Sequence, residues 1–88
     1  MDFEKTFEKN IETVLVYLTE HQQQASSYYS VRDILVEKQC SFREAEPQEI
    51  ASYLKNNLLG KKLMGRNGIA VSITPFGRIA GNRIINGK

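Results

Sequence analysis

The stretch GRNGIAVSITPFGRIAG, residues 65–81, decides how this chain is read. Asn67-Gly68 supplies the positive backbone φ that a tight hairpin needs, so the flanking segments, Lys61 to Gly65 and Ile69 to Ile73, are predicted strands. Two loop lengths fit. The Asn-Gly pair favours a two-residue loop. Side-chain alternation favours a three-residue loop with Gly68 left-handed, which pairs Leu63 with Val71 and puts Ile69 and Ile73 on one face. Either way Arg66 sits at the tip, in water. Thr74-Pro75 then stops the strand and starts a helix, with threonine as N-cap and proline at a position where its missing N–H does no harm. This last helix is expected to be short, weakened by Gly77 and Gly81, and to pack Phe76 or Ile79 on the core. The Ile84-Ile85 pair that follows is either a final core contact or part of a subunit interface.

Upstream of the hairpin the chain changes character. Glycine is absent through residue 59 and then occurs at 60, 65, 68, 77, 81 and 87, so a helical first part precedes a turn-rich second part. Phe3, Phe7, Ile11, Val14, Leu15 and Leu18 fall within an arc of about 120° at helical spacing, the core face of an amphipathic first helix. Gln22 to Gln24 are expected at its frayed end. In the following ASSYYS, Tyr28 and Tyr29 suit a very short strand beside the core, and stacking on a ligand is the alternative use of their rings. Ser30 caps a helix through Val31, Ile34 and Leu35, with Asp33 at the capping-box position. A third helix, 47–58, begins near Pro47, with Glu46 and Glu49 favourably placed at its positive end. Ile50, Leu54 and Leu58 are expected to bury one side of it, and Gly60 to end it. Gln48, Ser52, Lys55 and Asn56 lie on the opposite, polar side.

Composition bounds what such a chain can do. Eighty-eight residues, 41% of them hydrophobic, suit one small domain spanning 1–88. The single cysteine, Cys40, and single histidine, His21, cannot make an internal disulfide or a structural zinc site, so the chain is expected to need no metal and no cofactor. The longest apolar run, Val14 to Leu18, is too short to cross a bilayer, and MDFEKTFEK has no signal-peptide character, which makes a cytoplasmic protein the expectation. Charge is unevenly distributed. Residues 1–46 carry five basic and nine acidic side chains, a net −4, whereas residues 47–88 carry seven basic side chains against Glu49 alone, a net +6. A basic half of this kind points to an anionic partner, nucleic acid first, with a merely solvated basic surface as the plain alternative.

The order helix, short strand, helix, helix, hairpin, together with SVRDIL, PQEIASYLKNNLLGKKLM and VSITPFGRIA, resembles the winged helix-turn-helix family across nearly the whole chain. The last segment is similar to the strand, Leu-Thr, glycine ending of small bacterial winged-helix regulators, with Ile73 in the leucine position. The resemblance implies an α+β winged helix: a three-helix core, a two- to three-stranded β-hairpin wing and a short C-terminal helix. It also implies a small DNA-binding transcriptional regulator whose helix 47–58 enters the major groove while the 61–73 wing lies on the backbone of double-stranded DNA. Gln48 and Asn56 can pair with adenine, Ser52 with a base or phosphate, and Lys55, Lys61, Lys62 and Arg66, with Asn67 at the wing tip, can meet phosphates. Such regulators usually bind as dimers, and here a homodimer would use helix 1 or the Ile84-Ile85 tail. The departure is CSFREAE, seven residues where a helix-turn-helix has three or four. Either the second and third helices cross at an unusual angle, or Ser41 to Glu44 form a capped turn.

Competing chemistries are poorly supported by the residues. GRNG lacks the GxxxxGK[ST] pattern and joins two strands, so it is no phosphate-cradling loop. Glu44 and Glu46 sit beside Arg43 with no sign of a pocket, His21 suits a helix C-terminus, and Cys40 reads as a small, partly buried side chain. No enzyme, small-molecule ligand or membrane partner is expected. The competing reading is a winged-helix protein-interaction module without DNA binding. DNA binding requires Lys55, Lys62 and Arg66 to share a surface with the polar face of the third helix, whereas an apolar patch over that helix favours interaction with protein.

Overall fold

Helical spacing of apolar residues and two hydroxyl caps account for most of the elements in the computed structural model, which describes residues 3–66 and 68–87. In chain order these are α1 (Phe3–His21), β1 (Tyr29–Ser30), α2 (Val31–Glu37), α3 (Glu46–Asn56), β2 (Gly60–Gly65), β3 (Gly68–Ile73) and α4 (Pro75–Asn86). The described residues thus form an α+β fold of four helices and one antiparallel three-stranded sheet in the order β1-β3-β2. Both caps read from the sequence are formed. Ser30 Oγ accepts from the Asp33 amide at 3.2 Å, and Thr74 Oγ1 accepts from the Gly77 amide at 3.0 Å.

One apolar cluster joins the elements. Ile11, Val14, Leu15 and Leu18 of α1 meet Val31, Ile34 and Leu35 of α2, Ile50, Ala51 and Leu54 of α3, and the alternating Ile69, Val71 and Ile73 of β3. Tyr29 packs at its margin, its ring edge-on to Tyr17 and its hydroxyl donating to the His21 carbonyl at 3.2 Å. Burial beside the sheet is therefore the role of Tyr29, while Tyr28 is exposed.

Several expectations are corrected. α3 ends at Asn56, not at residue 58, because Leu58 takes a left-handed backbone (φ 61°) and closes the helix. The Leu59 amide donates to the Leu54 carbonyl and the Leu58 amide to the Lys55 carbonyl, the two bonds of a Schellman cap. Leu58 consequently points to solvent, 71% exposed, and leaves the core stripe. Gly60, expected to end α3, instead opens β2, where a Cβ would lie 3.0 Å from the Ser72 carbonyl and 3.3 Å from Leu54 Cβ. That close approach pins the hairpin register. Gly60 faces Ile73, Lys62 faces Val71, Leu63 faces Ala70 and Gly65 faces Gly68, so Gly68 is already paired in β3, and neither the two-residue loop at Asn67-Gly68 nor the three-residue loop that pairs Leu63 with Val71 forms.

α4 is not a short appendage: its 12 residues pack along α1. Gly81 lies against Thr19 and Leu15 of α1, Gly77 against Leu59 and Ile73, and Ile84 on the core, while Phe76 and Ile79 are exposed. A side chain at Gly77 would overlap the Leu59 carbonyl, and one at Gly81 would overlap Thr19 Oγ1. The glycines cost helix propensity but allow this packing. Ile84 makes the core contact, and Ile85 remains partly exposed. Gln22, expected to fray, is 2% exposed. Its Oε1 accepts from the Ile73 amide at 2.8 Å and its Nε2 donates to Ser72 Oγ at 2.9 Å, which supplies the partner that the two-residue β1 is too short to give. Between α2 and α3 no capped turn spans Ser41 to Glu44. The turn lies two residues on, closed by the Glu46 amide on the Arg43 carbonyl.

Two substitutions test this packing. Gly77→Ala would gain about 1 kcal/mol of helix propensity in isolation. Against the Leu59 carbonyl it should instead lower unfolding free energy in urea by about 1 to 3 kcal/mol. Leu58→Gly removes the left-handed penalty without emptying the core, and should raise stability by about 1 kcal/mol in the same titration.

Candidate nucleic-acid interface

The outer face of α3 is assembled by the helical repeat itself. Gln48, Ser52 and Asn56, four residues apart, line one shallow groove that Glu49, Tyr53 and Phe7 border on the α1 side. Tyr53 is held there by an edge-to-face contact with Phe7, ring centroids 6.4 Å apart. On the other side the hairpin joins the helix: Lys62 Nζ donates to Ser52 Oγ at 3.2 Å. Lys55 lies in the last turn of α3 and is exposed. Gln48, Ser52, Lys55, Asn56 and Lys62 are thereby brought together. Lys61, next along β2, projects from the opposite face of the strand, opposite Ser72. Arg66 is exposed at the hairpin end, as expected; Asn67 lies outside the described residues.

Charge around this face differs from the sequence count. Arg78 is drawn inward, its guanidinium donating to the Gln22 carbonyl at 2.8 Å and the Thr19 carbonyl at 3.2 Å. It caps the negative end of α1, an arrangement favourable to the helix dipole. Lys88 lies outside the described residues, and Arg83 is on α4. Lys55, Lys61, Lys62 and Arg66 remain near α3 and the hairpin. Glu49, the one acidic side chain among residues 47–88, is ion-paired: Arg43 Nη2 contacts Glu49 Oε1 at 2.5 Å. The same guanidinium lies 3.4 Å from buried Glu46, whose other oxygen accepts from Asn10 Nδ2. Asn10 also donates to the Ser41 carbonyl. The connector before α3 is thus tied to α1 and to the first turn of α3 by polar groups that periodicity does not flag.

Comparison with protein-family models, curated proteins and solved structures found no match to this chain.

Elsewhere the surface offers less directed chemistry. A second groove, between α1 and the end of α2, is lined by Lys9, Glu12, Thr13, Tyr17, Glu20 and Lys38, charges of both signs. Burial raises the Tyr17 phenol above its ordinary value, with the Glu37 charge next and Tyr29 and Asp33 adding to it, so the hydroxyl keeps its proton at neutral pH. His21 stacks on Tyr17, centroids 4.3 Å apart, in the last turn of α1. Cys40 is half-buried against the core. Among the described residues no group of three or more His, Cys, Asp or Glu is placed to hold a metal ion, and no helix is long and apolar enough to cross a membrane.

Because the Lys62–Ser52 bond is exposed, Lys62→Ala should change unfolding free energy by less than about 0.5 kcal/mol in urea titration. A larger loss would make Lys62 a structural residue.

Proposed function

We propose that this chain is a winged-helix DNA-binding protein, a small transcriptional regulator, in which α3 enters the major groove and the β2–β3 hairpin is the wing that lies on the phosphate backbone. The observation that carries the reading is the bond from Lys62 to Ser52, which makes the basic hairpin and the amide- and hydroxyl-bearing face of α3 one continuous surface. The element order agrees with what the family resemblance implies. Phosphate contact by Lys55, Lys62 and Arg66 would position α3, and Gln48, Ser52 and Asn56 would face base edges.

A second reading, an interaction module that binds protein and not DNA, is favoured by a different observation: Leu58, Leu63 and Met64 are exposed around the hairpin. They do not cover the outer face of α3, where Tyr53 is the exposed large apolar residue, so the DNA reading is preferred.

Fluorescence anisotropy of a labelled random-sequence duplex, titrated at two salt concentrations, decides between them. With three or four phosphate contacts, a fourfold rise in salt should weaken binding by about 40- to 150-fold. A Lys62→Ala, Arg66→Ala variant should lower the slope of log K against log salt by about 1.8. No binding at low salt would leave the protein-interaction reading.

A further inference from the structure

The outer face of α3 has two chemically different flanks. Toward the hairpin stand Lys55 and the Lys62–Ser52 bond. Toward α1 stand Glu49 and, one turn on, Tyr53, fixed by Phe7. A carboxylate on the second flank is out of place against phosphate, yet Glu49 is held in position: Arg43, anchored also by buried Glu46, grips Oε1. Arg43 offsets the Glu49 charge and limits its rotamers, and Glu49 lines the groove together with Gln48, Ser52 and Asn56.

Resting on the DNA-binding reading above, we propose that Glu49, positioned by Arg43, selects a cytosine in the bound site. In the major groove only cytosine N4 and adenine N6 offer protons to an acceptor. Beside adenine N6 stands the N7 lone pair, which repels a carboxylate, whereas cytosine presents a C–H there; the match is therefore to cytosine. Gln48 and Asn56, which carry donors as well as acceptors, are not restricted in this way. The side chain that weakens non-specific phosphate attraction thus becomes the one that discriminates among bases.

The test is selection from a random duplex pool by the wild-type protein and by Glu49→Gln, followed by anisotropy on the selected duplex. The wild type should enrich a C·G pair at one position, and replacing that pair should weaken its binding by about tenfold, the lower part of the range for one base pair. Glu49→Gln should lose that discrimination, shift the position toward adenine, and bind random duplex at least as tightly as the wild type. Arg43→Ala, which frees Glu49 without removing it, should reduce the discrimination and leave the preferred base unchanged. Equal discrimination by Glu49→Gln and wild type, or selection with no preferred cytosine, overturns the proposal while leaving DNA binding in place. Failure of the wild type to bind any duplex at low salt overturns both.

Discussion

The architecture depends on a polar knot at the end of α1. A helix leaves its last carbonyls without partners, and at this end they lie against other elements of the fold. Arg78 from α4 takes the Thr19 and Gln22 carbonyls, Tyr29 from β1 takes that of His21, and the Gln22 amide group turns inward to Ile73 and Ser72 of β3. Ser72 Oγ in turn donates to the Ala25 carbonyl. Each bond contributes modestly in net terms, but apart from the exposed Tyr29–His21 bond these groups are buried or partly buried, and leaving one unpaired would cost about 1 to 3 kcal/mol. Four elements therefore have to meet at one place, which fixes β3 against α1. β3 then fixes β2, and the register of β2 decides that Lys62, not Lys61, reaches α3.

What the sequence made legible is what local chemistry decides. The stripes Ile11-Val14-Leu15-Leu18 and Ile50-Leu54, the Ser30 and Thr74 caps and the alternation of β3 follow from repeat lengths and from hydroxyls in front of amides, and all are present. Leu58 is misread for a physical reason. Its side chain continues the apolar repeat, but its backbone takes the left-handed turn that usually marks a glycine, and no local pattern shows which demand prevails. α4 is misread by the inverse error. Large apolar residues advertise a buried face, yet here the buried face is the one with no side chains, since only Gly77 and Gly81 allow the backbone of α4 so near Leu59 and Thr19. Gln22 is polar and lies past the last apolar repeat, so its burial depends on a strand end fifty residues away.

The candidate interface was legible to the same extent. Gln48, Ser52 and Asn56 follow from a four-residue spacing and line one groove. That Lys62 joins them follows from strand register, which rests on Gly60 fitting between Leu54 and Ser72 and so on contacts distant in sequence. In the sequence Arg43 is a loop residue beside Glu44 and Glu46. Its pairing with Glu49 appears only because the turn closed by Glu46 on Arg43 brings the guanidinium back over the first turn of α3.

The same geometry limits how a DNA-binding surface of this kind would work. Seven basic residues in the C-terminal half suggested a broad electrostatic footprint. One of them caps a helix, another lies on α4 and Lys88 lies outside the described residues, so the cations near α3 and the hairpin are Lys55, Lys61, Lys62 and Arg66, with Lys61 on the far side of its strand. Three phosphate contacts from one copy give an affinity that salt readily erodes. Selectivity would then have to come from base edges, and the polar side chains that can reach them stand on the one helix face that the apolar residues leave uncovered. The lysines of β2 also guard an edge strand that carries exposed Leu63 and Met64, because a charge on an edge deters pairing with another chain. The two roles are compatible: a strand kept from pairing by its cations is a strand whose cations stay available to an anionic partner.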